Sequence, residues 1–258
     1  MVRLDSVIEN AIGANTEALS YIYAFLLREM DMDFYKYIHI NHIGNDLEEV
    51  IIRRGKEVYI NIRYTLDKNF AQKSNLEKQT VFLDIMQNAL LRLADKDKRI
   101  EISKLQSIKE RIQLQRFEFE IIYKSFVNKK KDDLIANVLV HPQMDKFEIY
   151  ILIEEKRVPK CKLLIYKGIP SDYYIDRLFS TGKWKGLDEF ILTGKRSEIE
   201  IHVSADTCSL KFVNKSVDEN KAPLFEAMKA DADKDKTLKD YIASLNPAIA
   251  AMLTSSLN

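Results

Sequence analysis

The chain has 258 residues, of which only 7 are Gly and 5 are Pro, under half of the roughly 12 % that these two residues make up in an average protein. Its glycines, at positions 13, 44, 55, 168, 182, 186 and 194, form neither G-x-G-x-x-G nor G-x-x-x-x-G-K-[ST], which excludes the usual phosphate-cradling loops. A content of 46 % apolar and 31 % charged residues is that of a globular chain with a core, and 40 basic against 39 acidic side chains leave a net charge of +1, with no global field to attract nucleic acid or an anionic membrane.

In chain order, Leu4, Val7, Ile8, Ala11 and Ile12 fall at helical spacing, and Leu19, Ile22, Tyr23, Leu26 and Met30 continue it after Gly13. The first thirty residues are therefore expected as one broken or two consecutive amphipathic helices. From Phe34 to Thr65 the composition turns to Ile, Val and Tyr. Val58, Ile60, Ile62 and Tyr64 alternate with more polar neighbours, and Asn45-Asp46 and Arg54-Gly55 supply turns, so a three-stranded antiparallel meander is expected with one face under the helices. Ser74-Asn75-Leu76-Glu77 has the spacing of a capping box and predicts a helix to about Asp95. A second box, Ser103 to Gln106, predicts another helix, with a strand from Phe117 onward.

The run 128–133, Asn-Lys-Lys-Lys-Asp-Asp, is the sharpest break in composition and the candidate boundary between a helix-meander-helix half, 1–128, and a second half, 129–258, with which it can share one core. Strands are expected over 134–141, 146–155, 160–167, 189–193, 198–203 and 208–213, followed from Ala222 by C-terminal helices, with 231–236 as a solvated connector. The fold class is thus α+β: N-terminal helices with a meander and two helices, then a larger antiparallel sheet with C-terminal helices. Cys161 and Cys208 lie in strand-like segments and are expected as buried thiols, with a bridge between them left open. Asp5, Glu9 and Asn10 interrupt the N-terminal apolar residues, and no apolar run reaches the roughly 18 residues of a membrane span, so the expectation is a cytoplasmic protein.

Residues for catalysis do not stand out. His39 and His42 are three apart on an expected strand and so face opposite sides, which defeats joint metal coordination, while His141 and His202 are lone residues. Carboxylate pairs such as Asp31 with Asp33 or Glu154 with Glu155 are what any chain with 39 acids produces. No catalytic, cofactor or metal residue is assigned. The most distinctive segment is Gly182-Lys183-Trp184-Lys185-Gly186, which brackets the single tryptophan with lysines. Lys183, Trp184 and Lys185, together with Tyr173 and Tyr174, are the candidate partner-binding residues, against the plainer reading that Trp184 folds back over the sheet.

The helix reading Phe82-Leu83-Asp84-Ile85-Met86-Gln87-Asn88-Ala89-Leu90 leads to a second helix and an Asn-Lys-Lys-Lys turn. An antiparallel sheet carrying Gly182-Lys183-Trp184-Lys185 and Phe190-Ile191-Leu192 follows. This layout, over roughly residues 75 to 203, resembles bacterial proteins encoded beside polymorphic toxins, of the type classed as immunity proteins. The resemblance implies a non-enzymatic cytoplasmic protein that binds and blocks a cognate toxin domain. Such proteins are often acidic where the toxin is a nuclease, and the net charge of +1 departs from that pattern. Two other readings stay open: a hydrolase with a site that no motif marks, and a nucleic-acid-binding module using Lys129 to Lys131 with Lys183, Trp184 and Lys185.

Overall fold

The computed structural model describes residues 2–6, 13–43, 47–144, 146–168, 172–195 and 199–214. The chain divides into two compact units, Met1–Phe119 with Pro142–Asp145, and Glu120–His141 with Lys146–Asn258. The class is α+β. The division falls at Phe119, whereas the lysine-rich run proposed as a boundary is the turn of a β-hairpin, where charge is solvated without marking a linker. The expected C-terminal helices and the 231–236 connector lie outside the described residues.

The first unit opens with a strand, β1 (Val2–Ser6), not a helix. Val2 and Leu4 are both buried, which is the period of a strand, while Val7, Ile8, Ala11 and Ile12, the rest of the expected first helix, lie outside the described residues. Helix α1 (Gly13–Glu29) then leads into β2 (Tyr37–Ile43), which pairs parallel to β1, a βαβ crossover. Strands β3 (Ile51–Arg54) and β4 (Glu57–Arg63) form a hairpin around Gly55-Lys56, with Gly55 at φ +62° as a two-residue turn of this kind requires. Strand β4 also pairs parallel to β2, so the sheet order is β1-β2-β4-β3. The expected antiparallel meander is therefore corrected to a mostly parallel four-stranded sheet. Alternation assigns each side chain a face but says nothing about the direction of the neighbouring strand.

Helix α2 (Asn75–Lys96) begins at the expected capping box: the Ser74 hydroxyl accepts from the Glu77 amide, and the Glu77 carboxylate accepts from the Ser74 amide. Its buried residues Phe82, Met86, Ala89, Leu90 and Leu93 pack with Leu19, Ile22 and Leu26 of α1 over Ile38, Ile40, Val58 and Ile60 of the sheet. Helix α3 (Ile102–Leu114) starts at Ile102, so Ser103 already lies in its first turn and the second box does not form. Arg116 and Phe117 take positive φ and end the helix, and the next strand starts at Ile121 rather than at Phe117.

The second unit holds two four-stranded sheets. One has the order β5 (Ile121–Asn128), β6 (Lys131–Pro142), β7 (Phe147–Glu155), β8 (Val158–Gly168). The other has the order β12 (Ser209–Asn214), β11 (Ile199–Ser204), β10 (Glu189–Leu192), β9 (Gly182–Lys185). A short helix α4 (Asp172–Phe179) separates them in the chain. Phe147, Ile149, Ile151 and Ile153 alternate with more accessible residues, which is what made β7 legible, whereas β6 is buried without a break from Ala136 to Val140. Cys161 on β8 is bonded to Cys208 in the β11–β12 turn, with Cα atoms 5.5 Å apart. The expectation of two separate thiols is thereby corrected: strand-like surroundings carry no information about which strands meet.

Candidate interaction surface

The residues singled out in the sequence fall on two elements of the second unit. Lys183, Trp184 and Lys185 lie on β9, which pairs antiparallel to β10 with Trp184 opposite Phe190. Trp184 is half-buried. Its ring lies 5.4 Å from that of Phe190, and its indole N–H donates to the Phe126 carbonyl at 2.8 Å. Gly182 precedes it because a Cβ there would sit 2.7 Å from Phe190 Cζ. Lys183 and Lys185 point away from the ring into solvent, and Lys185 pairs with Glu189 at 3.1 Å. Tyr173 and Tyr174 belong to the first turn of α4. The tryptophan thus covers the sheet while its flanking lysines stay in water.

His202 is not a lone residue. On β11, its Nδ1 lies 2.7 Å from Glu189 Oε1 and its Nε2 lies 3.1 Å from Glu200 Oε2. Both ring nitrogens therefore face carboxylates. His202, with Lys185 behind it, holds the Glu189 carboxyl below its ordinary value. The imidazole thus sits between two carboxylates, and among the described residues no group of three or more His, Cys, Asp and Glu is arranged to hold a metal ion. His39 and His42 do face opposite sides of β2. His42 is buried, with Nε2 2.8 Å from the Tyr64 carbonyl oxygen, and His39 lies on the other face.

That other face of the first unit's sheet is an accessible surface that sequence reasoning missed. The register places His39, Tyr59 and Ile52 in one cross-strand row and Asn41, Asn61 and Val50 in the next. The His39 and Tyr59 rings stack at 4.6 Å and 7°, the Asn41 amide donates to Asn61 at 2.9 Å, and the Tyr59 hydroxyl donates to Glu57 at 2.9 Å. At the β3 margin Val50 and Ile52 are 38 % and 40 % exposed, and Leu47 is 48 % exposed. The sheet is mixed, with β3 antiparallel to β4, and this second face carries half-buried His39, Asn41, Tyr59 and Asn61 with the exposed Val50 and Ile52 at one margin.

Beside it stands a network built on one buried acid. Asp97, the residue after α2, is 6 % exposed; Arg99 donates to both its carboxylate oxygens, Tyr35 donates at 2.6 Å, and Arg53 lies 3.7 Å away. The guanidinium groups of Arg53 and Arg99 sit over the Tyr35 ring at 5.8 and 5.7 Å, and that of Arg54 lies over Tyr59 at 5.6 Å. The cations of this region are thus held in place by rings. The sequence signal that could have found them is the run Arg53-Arg54-Gly55-Lys56 at a hairpin turn, read together with the preceding Phe34-Tyr35-Lys36-Tyr37.

No family model matches the chain, nor does any curated protein or solved structure.

Proposed function

We propose that this is a non-enzymatic binding protein of the immunity type, which blocks a cognate toxin domain by covering it. The observation that carries the reading is the accessible second face of a mostly parallel sheet, with His39, Tyr59 and Asn61 at its centre and exposed Val50 and Ile52 at its margin. Aromatic and Arg side chains are enriched at protein interfaces, and here the Tyr59 and His39 rings lie beside Arg54 and the exposed Val50 and Ile52 on a strand framework. The resemblance in layout to immunity proteins supports the same class.

On this reading the protein works in the cytoplasm. Among the described residues no helix is long and apolar enough to cross a membrane. Cytoplasmic thiols are kept reduced, so the working form would carry Cys161 and Cys208 as neighbouring thiols.

The test is co-elution of the purified chain with the toxin-domain product of the adjacent gene, together with survival of cells that express both. A one-to-one complex at micromolar concentration is expected, weakened by Tyr59→Ala and by Ile52→Asp. Separate elution and unprotected cells would refute the reading.

A further inference from the structure

We infer that the free edge of β3 receives an extended, acidic segment of a partner protein, added as a further strand to the first unit's sheet. The inference rests on the protein-binding reading above and names the chemistry of the partner.

Strand β3 is the last in the order β1-β2-β4-β3. The Asn61 amide donates to the Val50 carbonyl at 2.8 Å, which makes Val50 and Asn61 a directly bonded pair. Bonded and non-bonded pairs alternate along an antiparallel ladder, so Ile52 with Tyr59 and Arg54 with Glu57 are bonded pairs as well. The N–H and C=O groups of the intervening residues, Ile51 and Arg53, therefore point away from β4 to the outside of the sheet. An extended segment laid there finds main-chain donors and acceptors at strand spacing. Between β3 and the C-terminal part of α2 runs an open groove of about 860 Å³, lined by Ile51, Arg53, Arg92 and Lys96, which gives room to the added strand's side chains.

Charge selects the segment. Lys36, Arg53, Arg54, Lys56 and Arg99 gather around the hairpin, and four of them are held over rings: Arg53 and Arg99 over Tyr35, Arg99 also over Phe34 at 5.1 Å, Arg54 over Tyr59, and Lys36 over Tyr37 at 5.1 Å. Side chains fixed in advance lose less freedom when a carboxylate docks. Some of these cations already meet an acid: Arg99 is bonded to the buried Asp97, Arg53 lies 3.7 Å from it, and in the groove, which Asp95 also lines, Arg92 pairs with Glu49 at 2.7 Å; the incoming carboxylates are therefore met chiefly by Arg54 and Lys56 at the hairpin turn. Arginines on an edge strand repel basic segments and thereby protect the edge from indiscriminate pairing. A nucleic-acid strand is the poorer fit. One face of the Tyr59 ring is stacked on His39, Arg54 also lies over the ring, and Tyr35 carries two guanidinium groups, so the rings offer no open platform for bases.

The test uses the whole chain, labelled for amide exchange, and two blocked probe peptides, one alternating glutamate with valine and the other lysine with valine. The acidic peptide is expected to slow exchange at Ile51 and Arg53 by at least about tenfold, an effect that the lysine peptide does not reproduce and that added salt weakens. Arg54→Glu combined with Lys56→Glu, both exposed hairpin positions away from Asp97, should abolish it while the circular dichroism spectrum is unchanged. No slowing at those amides, equal slowing by both peptides, or a single-stranded oligonucleotide that outcompetes the acidic peptide would overturn the inference. Co-elution with the toxin product without protection of Ile51 and Arg53 sinks the edge site and leaves the inhibitory reading; protection without co-elution does the reverse.

Discussion

The Tyr35 hydroxyl donates to Asp97 at 2.6 Å, which joins the segment before β2 to the residue after α2. Arg99 completes the arrangement from two residues further on. It is the main reason that the Asp97 carboxyl is held well below the usual carboxylate range; burial opposes the shift and the Tyr35 hydrogen bond adds to it. A carboxyl depressed in the folded state stabilises the fold above its unfolded pKa and loses that contribution as pH falls toward the folded value. Asp97→Asn should therefore cost about 1.5–3 kcal/mol at pH 7, the range for hydrogen bonds to a charged group. Urea unfolding followed from neutral to acid pH should show the gap between wild type and variant shrinking once pH drops below the ordinary aspartate value of 3.8.

Glu155 makes a more exposed version of the same case. Lys131 first, and Lys160 at 3.1 Å second, pull its carboxyl from 4.5 down to about 2. Its contribution should be fully present above pH 4.5 and disappear between there and about pH 2. Unfolding midpoints of wild type and Glu155→Gln should differ by a constant amount at neutral pH and converge across that window. A difference that persists at the acid end would show that the two lysines are not what shifts the group.

Gly182 and Gly186 bracket the tryptophan for different reasons. A Cβ at Gly182 would meet Phe190 Cζ at 2.7 Å, and Phe190 is fully buried against Trp184 and Phe126. Gly182→Ala should therefore overpack that cluster at a cost of about 1–3 kcal/mol and alter the fluorescence of Trp184. At Gly186 the space is open but φ is +73°, so Gly186→Ala should cost about 1–2 kcal/mol through the backbone alone, with the emission spectrum unchanged. Equal spectra for the two variants would contradict the packing argument.

The Cys161–Cys208 bridge spans 47 residues and joins β8 to the β11–β12 turn. For the oxidised protein, Cys208→Ser should lower stability by about 2–4 kcal/mol, measured by thermal unfolding, and dithiothreitol should bring wild type to the same value. Alkylation of the protein as it stands in cells, read by mass, reports which form is the working one: two added groups fit the cytoplasmic reading, and none would contradict it.

Much of the fold was legible because local chemistry wrote it. The Ser74 and Glu77 side chains satisfy helix-terminal amides whatever lies elsewhere, and β7, like residues 201–204 of β11, alternates one face against the other. Where local rules are silent, the expectations failed. Ser103 has the residue spacing of a cap, yet the helix begins one residue before it. Residues 2–6 carry too few side chains to separate a strand from a helical turn, and only pairing with β2 makes them β1. The accessible face was hidden for the same reason: His39, Tyr59 and Ile52 are unremarkable in sequence, and the cross-strand register alone puts them side by side.

By itself the amino-acid sequence determined the class, α+β, the positions of most elements, the faces of β2 and β4, and the lack of phosphate-cradling glycine loops. All of these follow from composition, period and capping within a few residues. Tertiary structure decided the parallel direction of β1, β2 and β4, the edge position of β3, the gathering of Tyr35, Arg53 and Arg99 around Asp97, and the joining of Cys161 to Cys208. Each of these depends on which distant segments pack together. Burial of apolar area is non-directional; the choice among pairings is made by the whole set of contacts at once.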